Sequence, residues 1–134
     1  SAVTSVIKKS DIAFCQLETV YSEKGAALPQ CRFPLRAHPR SAPSIKQAGF
    51  NVVSFAGNRT MDWGAEAMLD TVDIMKRTGI DVFGVGKNIE EARKPKIVEC
   101  KGTKIAFLAY SSLLSAGYWA DTTKPGCAPM RSSW

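Results

Sequence analysis

Hydrophobic residues along the chain fall into short apolar runs and one segment with helical spacing. The run at residues 51–55 is rich in β-branched and aromatic residues and lies between Gly49 and Gly57, which predicts a buried strand. Beyond it, apolar residues recur at intervals of three and four, at Ala65, Met68, Leu69, Val72 and Met75. This spacing predicts a long amphipathic helix that is capped by a glycine at position 79.

Two further apolar runs predict strands before and after this unit. Residues 12–17 and 81–85 lack the polar alternation of a half-exposed sheet, so we predict that both are buried together with residues 52–55. Phe14 and Val53 are the residues whose burial tests this prediction. The order strand, helix, strand predicts a parallel pair with a right-handed crossover. The pattern therefore predicts an α/β fold.

The last third of the chain shows a weaker pattern. Lys101 and Gly102 lie between two runs, 96–99 and 104–110, and predict a hairpin. From Ser111 onward the chain is predicted to be irregular, without a further strand.

Composition and charge limit the classes of function. The chain has 134 residues, of which 45% are hydrophobic, enough for one globular domain with a core. Its net charge of +6 favours contact with anions, but the basic residues are dispersed, which disfavours nucleic-acid binding. The four cysteines form no CxxC pair, which favours buried or incidental thiols over a metal site or disulfides. No apolar run reaches the roughly 18 residues of a membrane span.

Polar residues follow two of the predicted strands. Ligands of open α/β sheets bind beyond the carboxyl ends of the strands, so the first candidates for chemistry are Asn58, Arg59, Asp62 and Trp63. Glu18 follows the strand at residues 12–17. A carboxylate at this position is either a metal ligand or general base, or an exposed loop acid.

Two other segments could bind anions. The long connection at residues 20–40 carries basic residues that form either a phosphate or carboxylate site or a solvated basic loop: Arg32, Arg36, His38 and Arg40. The second segment, residues 84–88, is either a phosphate-binding loop or a plain turn in which Asn88 caps a helix with Glu91 as its partner.

Several blocks of sequence, in the same order, resemble the bacterial CapA family, which is linked to capsule and poly-γ-glutamate synthesis. The blocks are DIAFCQLET at residues 11–19, residues 33–39, AGFNVVSFAGNRTMDWG at residues 48–64, and residues 84–107. The resemblance covers residues 11–110. It implies a partial calcineurin-like metallophosphatase fold, an α-β-β-α sandwich with a mixed sheet, in which residues 1–134 form a single, incomplete domain and residues 111–134 an irregular tail.

The resemblance also implies site residues. Family members carry Asn-Leu-Glu and Asn-Asn-His elements where this chain has QLE at residues 16–18 and GNR at residues 57–59. Glu18 and Asn58 would thus be metal ligands of a two-metal site for Mn, Zn or Mg that activates water. Arg59 stands in place of the histidine. Its permanent charge disfavours a neighbouring dication and favours an anionic substrate.

Two functions follow from the residues and the resemblance. The first is a metal-dependent hydrolase related to metallophosphatases that acts on phosphoester, peptide or polyglutamate bonds, with Arg59, Arg36 and His38 on the substrate. Such a site usually needs about five or more protein ligands and two are available by resemblance, so we expect little catalysis by these residues alone. The alternative is a non-catalytic domain whose basic loop binds an anionic polymer or a partner. The compartment and oligomeric state stay open.

Overall fold

The structure is a computed structural model that describes residues 2–130, in which short helices and strands alternate. The α-helices within this range are α1 (Ala2–Lys9), α2 (Pro43–Ala48), α3 (Gly64–Arg77) and α4 (Ile89–Arg93), and two short 3₁₀ helices lie at Pro39–Ser41 and Ala116–Tyr118. The strands are β1 (Phe14–Gln16), β2 (Val20–Tyr21), β3 (Arg36–Ala37), β4 (Val52–Ser54), β5 (Asp81–Phe83), β6 (Val85–Gly86), β7 (Lys96–Cys100), β8 (Thr103–Phe107) and β9 (Gly126–Cys127). The predicted α/β class is confirmed. Over the described range, every helix is too short or too polar to cross a bilayer.

A three-stranded parallel sheet, in the order β1-β4-β5, lies at the centre of the fold. The register pairs Cys15 with Val53 and Val53 with Val82. Helix α3 connects β4 to β5, so the predicted parallel pair with its helical connection is confirmed. All three strands consequently end at the same edge, which places the connections that follow β1 and β4 next to each other.

The main core lies between this sheet and α3. Val53, Phe55, Met68 and Met75 are fully buried in one apolar cluster. Side chains at this spacing on α3 form the stripe that the sequence predicts, and burial of each large aliphatic side chain stabilises the fold by roughly 1.5–3 kcal/mol.

The prediction that β1 is buried is wrong. Phe14 keeps 49% of its surface exposed, whereas Val53 on the central strand is confirmed as fully buried. The physical reason is position in the sheet: β1 is an edge strand, whereas Val52, its partner in register on the central strand, is 2% exposed. The predicted strand at residues 81–85 is also divided, because Gly84 separates β5 from β6.

The hairpin of β7 and β8 is confirmed, but the prediction of a tail without strands is wrong. Strand β9 pairs antiparallel with β6, matching Val85 to Cys127 and Gly86 to Gly126. A Cβ atom at position 126 would lie 2.5 Å from the carbonyl oxygen of Tyr118. Glycine at this position therefore lets the tail return to the body of the fold. The two-residue length of the strand leaves no periodic signal in the sequence.

Candidate functional site

A cavity of about 320 Å³ lies where the connection between β4 and α3 meets the loop at residues 22–35 and the segment at residues 113–118. Its polar lining comprises Gln30, Arg32, Asn58, Arg59, Asp62 and Ser115. Its apolar wall comprises Leu28, Phe33, Met61, Leu113, Leu114 and Tyr118. Three of the four residues predicted from the end of the central strand thus meet in one cavity.

The connection after β4 is held by the buried side chain of Thr60. Its hydroxyl donates to the carbonyl oxygen of Phe55 and accepts the N–H of Gly57 at 3.0 Å. Both bonds close a tight turn at the carboxyl end of the strand. This turn leaves Asn58 exposed and directs the chain into the start of α3.

Asp62 and Arg59 fasten the 22–35 loop to this turn. The Nη1 atom of Arg59 donates to the carbonyl oxygen of Phe33 at 2.9 Å and lies 3.4 Å from Oδ2 of Asp62. Asp62 is only 4% exposed, and the same Oδ2 accepts the main-chain N–H of Leu35 at 2.8 Å. Its carbonyl oxygen accepts the N–H of Leu28 at 3.0 Å. Sequence reasoning named both residues for chemistry, and their contacts show that they also hold one wall of the cavity.

The start of the same loop is anchored on α3. Ser22 donates to Oδ2 of Asp70 at 2.6 Å, and Nζ of Lys24 lies 2.8 Å from Oδ1. Burial raises the pKa of the Asp70 carboxyl, but the hydrogen bonds from Lys24 and Ser22 outweigh it and hold that pKa below its ordinary value. Asp70 therefore stays ionised at neutral pH and keeps both contacts.

Arg36 and His38 lie away from the cavity. The guanidinium of Arg36 lies over the ring of Trp63, 3.5 Å from its centroid, and donates to two main-chain carbonyls of the 22–35 loop. His38 pairs with Glu23 at 3.4 Å through Nε2. Of the four basic residues predicted in this region, Arg32 lines the cavity.

Glu18 and Asn58, the metal ligands implied by the resemblance, both lie in exposed connections at the carboxyl edge of the sheet. Oε1 of Glu18 lies 3.7 Å from the position that a Cβ atom at Gly57 would occupy, one residue before Asn58. Asn58 lines the 320 Å³ cavity, whereas Glu18 lines a neighbouring one with Gln16. In residues 2–130, no group of three or more His, Cys, Asp or Glu side chains is spaced to hold a metal ion. Glu18 and Asn58 therefore supply only part of the four to six ligands that Zn, Mn or Mg requires.

Residues 84–88 form the plain turn with a helix cap, the second of the two structures predicted for this segment. Asn88 caps α4, and its side chain accepts the N–H of Glu91 at 2.9 Å. Glu91 in turn accepts the N–H of Lys87 at 2.9 Å, one residue before the N-cap, so the cap by Asn88 is confirmed and the reciprocal bond of the capping box is displaced by one residue.

Sequence reasoning missed the far wall of the cavity. Leu113, Leu114 and Tyr118 belong to the tail, whose return is fixed by the bond from Nε1 of Trp119 to the carbonyl oxygen of Leu114 at 3.0 Å.

Cys31 also lines the cavity and was not predicted from the sequence. Burial and the adjacent Asp62 carboxylate raise the pKa of its thiol, so Cys31 stays protonated at neutral pH. No motif in the sequence marks these residues.

Comparison with known proteins gives a consistent family match. Residues 1–133 match the family model for bacterial capsule synthesis protein PGA_cap. The chain is 29% identical over 96 residues to the capsule biosynthesis protein CapA of Bacillus anthracis, a match that covers 72% of this chain and 23% of that protein. It is 28% identical over 96 residues to the PGA biosynthesis protein CapA of Bacillus subtilis, covering 71% of this chain and 25% of that protein. An uncharacterized protein of Sinorhizobium fredii is 28% identical over 114 residues, covering 81% and 25%. The chain thus spans about a quarter of the length of the curated relatives it matches.

Proposed function

Because the chain belongs to the bacterial capsule synthesis protein family PGA_cap, whose fold is metallophosphatase-like, we propose that its 320 Å³ cavity binds an anionic polymer of capsule or poly-γ-glutamate synthesis. The supporting observation is the presence of Arg32, Arg59 and Asn58 in one cavity with an apolar wall. Guanidinium groups bind carboxylates through two parallel hydrogen bonds. The apolar wall suits the methylene groups of a glutamyl chain.

The two arginines differ in the contacts and the exposure of their guanidinium groups. Arg59 uses Nη1 to hold Phe33, and its side chain is 31% exposed. Arg32 is exposed and lies 5.2 Å from the centroid of the Phe33 ring. Arg59 therefore contributes a donor held by its bond to Phe33, and Arg32 a donor exposed to solvent. The net charge of +6 adds a long-range attraction for polyanions that salt weakens.

Replacing Arg32 by glutamine tests this proposal without disturbing the loop. We expect the affinity for a γ-linked glutamate oligomer, measured by calorimetry at 0.15 M salt, to fall about five- to tenfold, because one charge-assisted contact is lost. Arg40→Gln is the matched control, since Arg40 is equally charged and exposed but lies outside the cavity. Equal losses in the two variants would show that general charge, and not the cavity, binds the oligomer.

A second function, metal-dependent hydrolysis, is favoured by one observation: Glu18 approaches the turn that carries Asn58. We infer that these two residues provide oxygen ligands for a divalent ion, Mn, Zn or Mg, and that the remaining ligands come from outside residues 2–130. When bound, such an ion supplies activation of water and polarisation of the scissile bond. The contribution of this chain is to hold Glu18 and Asn58 at one edge of the sheet and Arg59 beside them.

Position 59 provides the test of this second function. We expect Arg59→His to bind Mn²⁺ at least about tenfold more tightly than the original chain, because a fixed cation is removed and an imidazole ligand is added. Arg59→Gln removes the charge without adding that ligand and should give a smaller gain. Both variants lose the bond to Phe33, so near-UV circular dichroism is recorded to verify their packing. Identical calorimetric titrations for the three proteins would place residue 59 away from the metal.

A further inference from the structure

Phe33 is a large apolar side chain at the cavity with most of its surface in solvent. It lines the 320 Å³ cavity, yet 65% of its surface is exposed. Single exposed apolar residues are common on protein surfaces, so exposure alone assigns no role to this ring. The contacts of Phe33 are more informative, because they reach both arginines of the cavity.

The main chain at Phe33 is fixed by the turn that follows β4. Its carbonyl oxygen accepts a hydrogen bond from Nη1 of Arg59 at 2.9 Å. Two residues later, the N–H of Leu35 donates to Oδ2 of Asp62 at 2.8 Å. Pro34 lies between these two bonds and favours an extended backbone at the residue before it. Main-chain contacts therefore set the place of the Phe33 ring, and burial of the ring is not needed to keep it there.

The ring of Phe33 contacts the guanidinium of the preceding residue. The Cζ atom of Arg32 lies 5.2 Å from the ring centroid, within the roughly 6 Å at which the face of an aromatic ring attracts a cation. This attraction uses none of the N–H donors of the guanidinium and leaves its positive charge in place. A carboxylate partner, such as Asp62 for Arg59, occupies a donor and offsets the charge. Arg32 is thus restrained and still able to bind an anion.

An arginine that is restrained before binding has an advantage over a free one. Ordering a long, exposed side chain costs conformational entropy when a ligand binds, and a contact that already restricts the guanidinium lowers that cost. Arg32 is exposed and lines the same cavity as Phe33. We propose that Phe33 is a positioning residue, whose ring directs Arg32 toward the anion while its carbonyl oxygen holds Arg59. This inference rests on the proposed binding of an anionic polymer.

A double-mutant cycle tests whether the ring acts through Arg32. Phe33→Leu keeps an apolar side chain and the main-chain bond to Arg59 but removes the aromatic face. We expect it to weaken the binding of a γ-linked glutamate oligomer about two- to fivefold in a calorimetric titration. In the Arg32→Gln background the same substitution should change the affinity by less than about 1.5-fold, because the cation is already absent.

Two further variants serve as controls. Phe33→Tyr keeps the aromatic face and should bind the oligomer within about 1.5-fold of the original chain. Phe14→Leu removes a ring that is 49% exposed and lies outside the cavity, so it should leave the affinity unchanged. Because the ring of Phe33 is mostly in solvent, Phe33→Leu should change the melting temperature by less than about 2 °C, which separates a loss of positioning from a loss of folding.

Three results would overturn the inference and leave the proposed function in place. The first is a Phe33→Leu variant that binds the oligomer as tightly as the original chain. The second is an equal loss with and without Arg32, which would show that the ring acts on the oligomer directly. The third is an equal loss in Phe33→Tyr and Phe33→Leu, since the aromatic face would then not matter. An oligomer that does not bind the original chain overturns the proposed function, and the role of Phe33 with it.

Discussion

Replacing Asp62 by alanine is expected to lower the free energy of unfolding by about 3–4 kcal/mol. The carboxylate is 4% exposed and accepts the N–H of Leu35 at 2.8 Å, with Nη1 of Arg59 at 3.4 Å. Removing it leaves the main-chain N–H of Leu35 without its acceptor and an arginine without its counter-charge. Breaking one side of a buried pair costs about 3–5 kcal/mol, and the lower end of that range applies here because Arg59 is 31% exposed; loss of the acceptor of Leu35 adds up to about 1 kcal/mol. Both penalties act on the same loop, so they overlap and do not add fully.

Urea unfolding followed by circular dichroism measures this loss. Asp62→Asn keeps an oxygen acceptor for Leu35 but loses the charge, and it should fall between the original protein and Asp62→Ala. Asp73→Ala on the exposed side of α3 is the matched control and should change stability by less than about 0.5 kcal/mol. If Asp62→Ala and Asp73→Ala had equal stability, the loop would not depend on this carboxylate.

The elements with a repeated pattern could be predicted from sequence. Helix α3 and strand β4 combine long apolar periodicity with flanking glycines, and their burial follows from that pattern. Glycine and asparagine signals also predicted the hairpin and the cap of α4. In each case the information lies in residues that are neighbours along the chain.

The errors come from features that depend on distant parts of the chain. An apolar run such as 12–17 predicts a strand, but not whether a second layer covers Phe14. Strand β9 exists because Gly126 fits against Tyr118 and pairs with β6, and two residues give no periodic signal. Short strands and sheet edges are therefore set by tertiary contacts that no local pattern contains.

The sequence predicted the part of the candidate site that follows a strand end, but not the part that depends on how the long connection folds. The rule that ligands bind beyond strand ends correctly brought Asn58, Arg59 and Asp62 to one cavity. Basic residues of the long connection could not be assigned by the same reasoning, because the stacking of Arg36 on Trp63 depends on how the loop folds back. The metal ligands and the substrate contacts stay predictions that titrations with Mn²⁺ and with a γ-linked glutamate oligomer test.

Gly25→Ala should destabilise the protein by about 3 kcal/mol. Gly25 has φ of +74°, and a Cβ atom there would lie 2.2 Å from the carbonyl oxygen of Trp63 and 3.2 Å from Cβ of Ala67. Strain from the left-handed backbone costs about 1 kcal/mol, and insertion of an atom into a packed site costs a further 1–3 kcal/mol. The obstructing atom is main chain at the start of α3, so it cannot move aside cheaply.

Gly64→Ala separates these two causes, because Gly64 has φ of +78° but no atom within 4 Å of its Cβ position. It carries the backbone strain alone and should lose only about 1 kcal/mol. Hydrogen exchange measures the same effect locally, at the amides of Leu28 and Leu35, which donate to Asp62. These amides should exchange at least about tenfold faster in Gly25→Ala than in the original protein. In Gly64→Ala their exchange rates should stay close to the original. Equal stability losses in the two variants would mean that Gly25 does not pack closely against the start of α3. The contacts of Asp62 alone would then hold the 22–35 loop at the cavity wall.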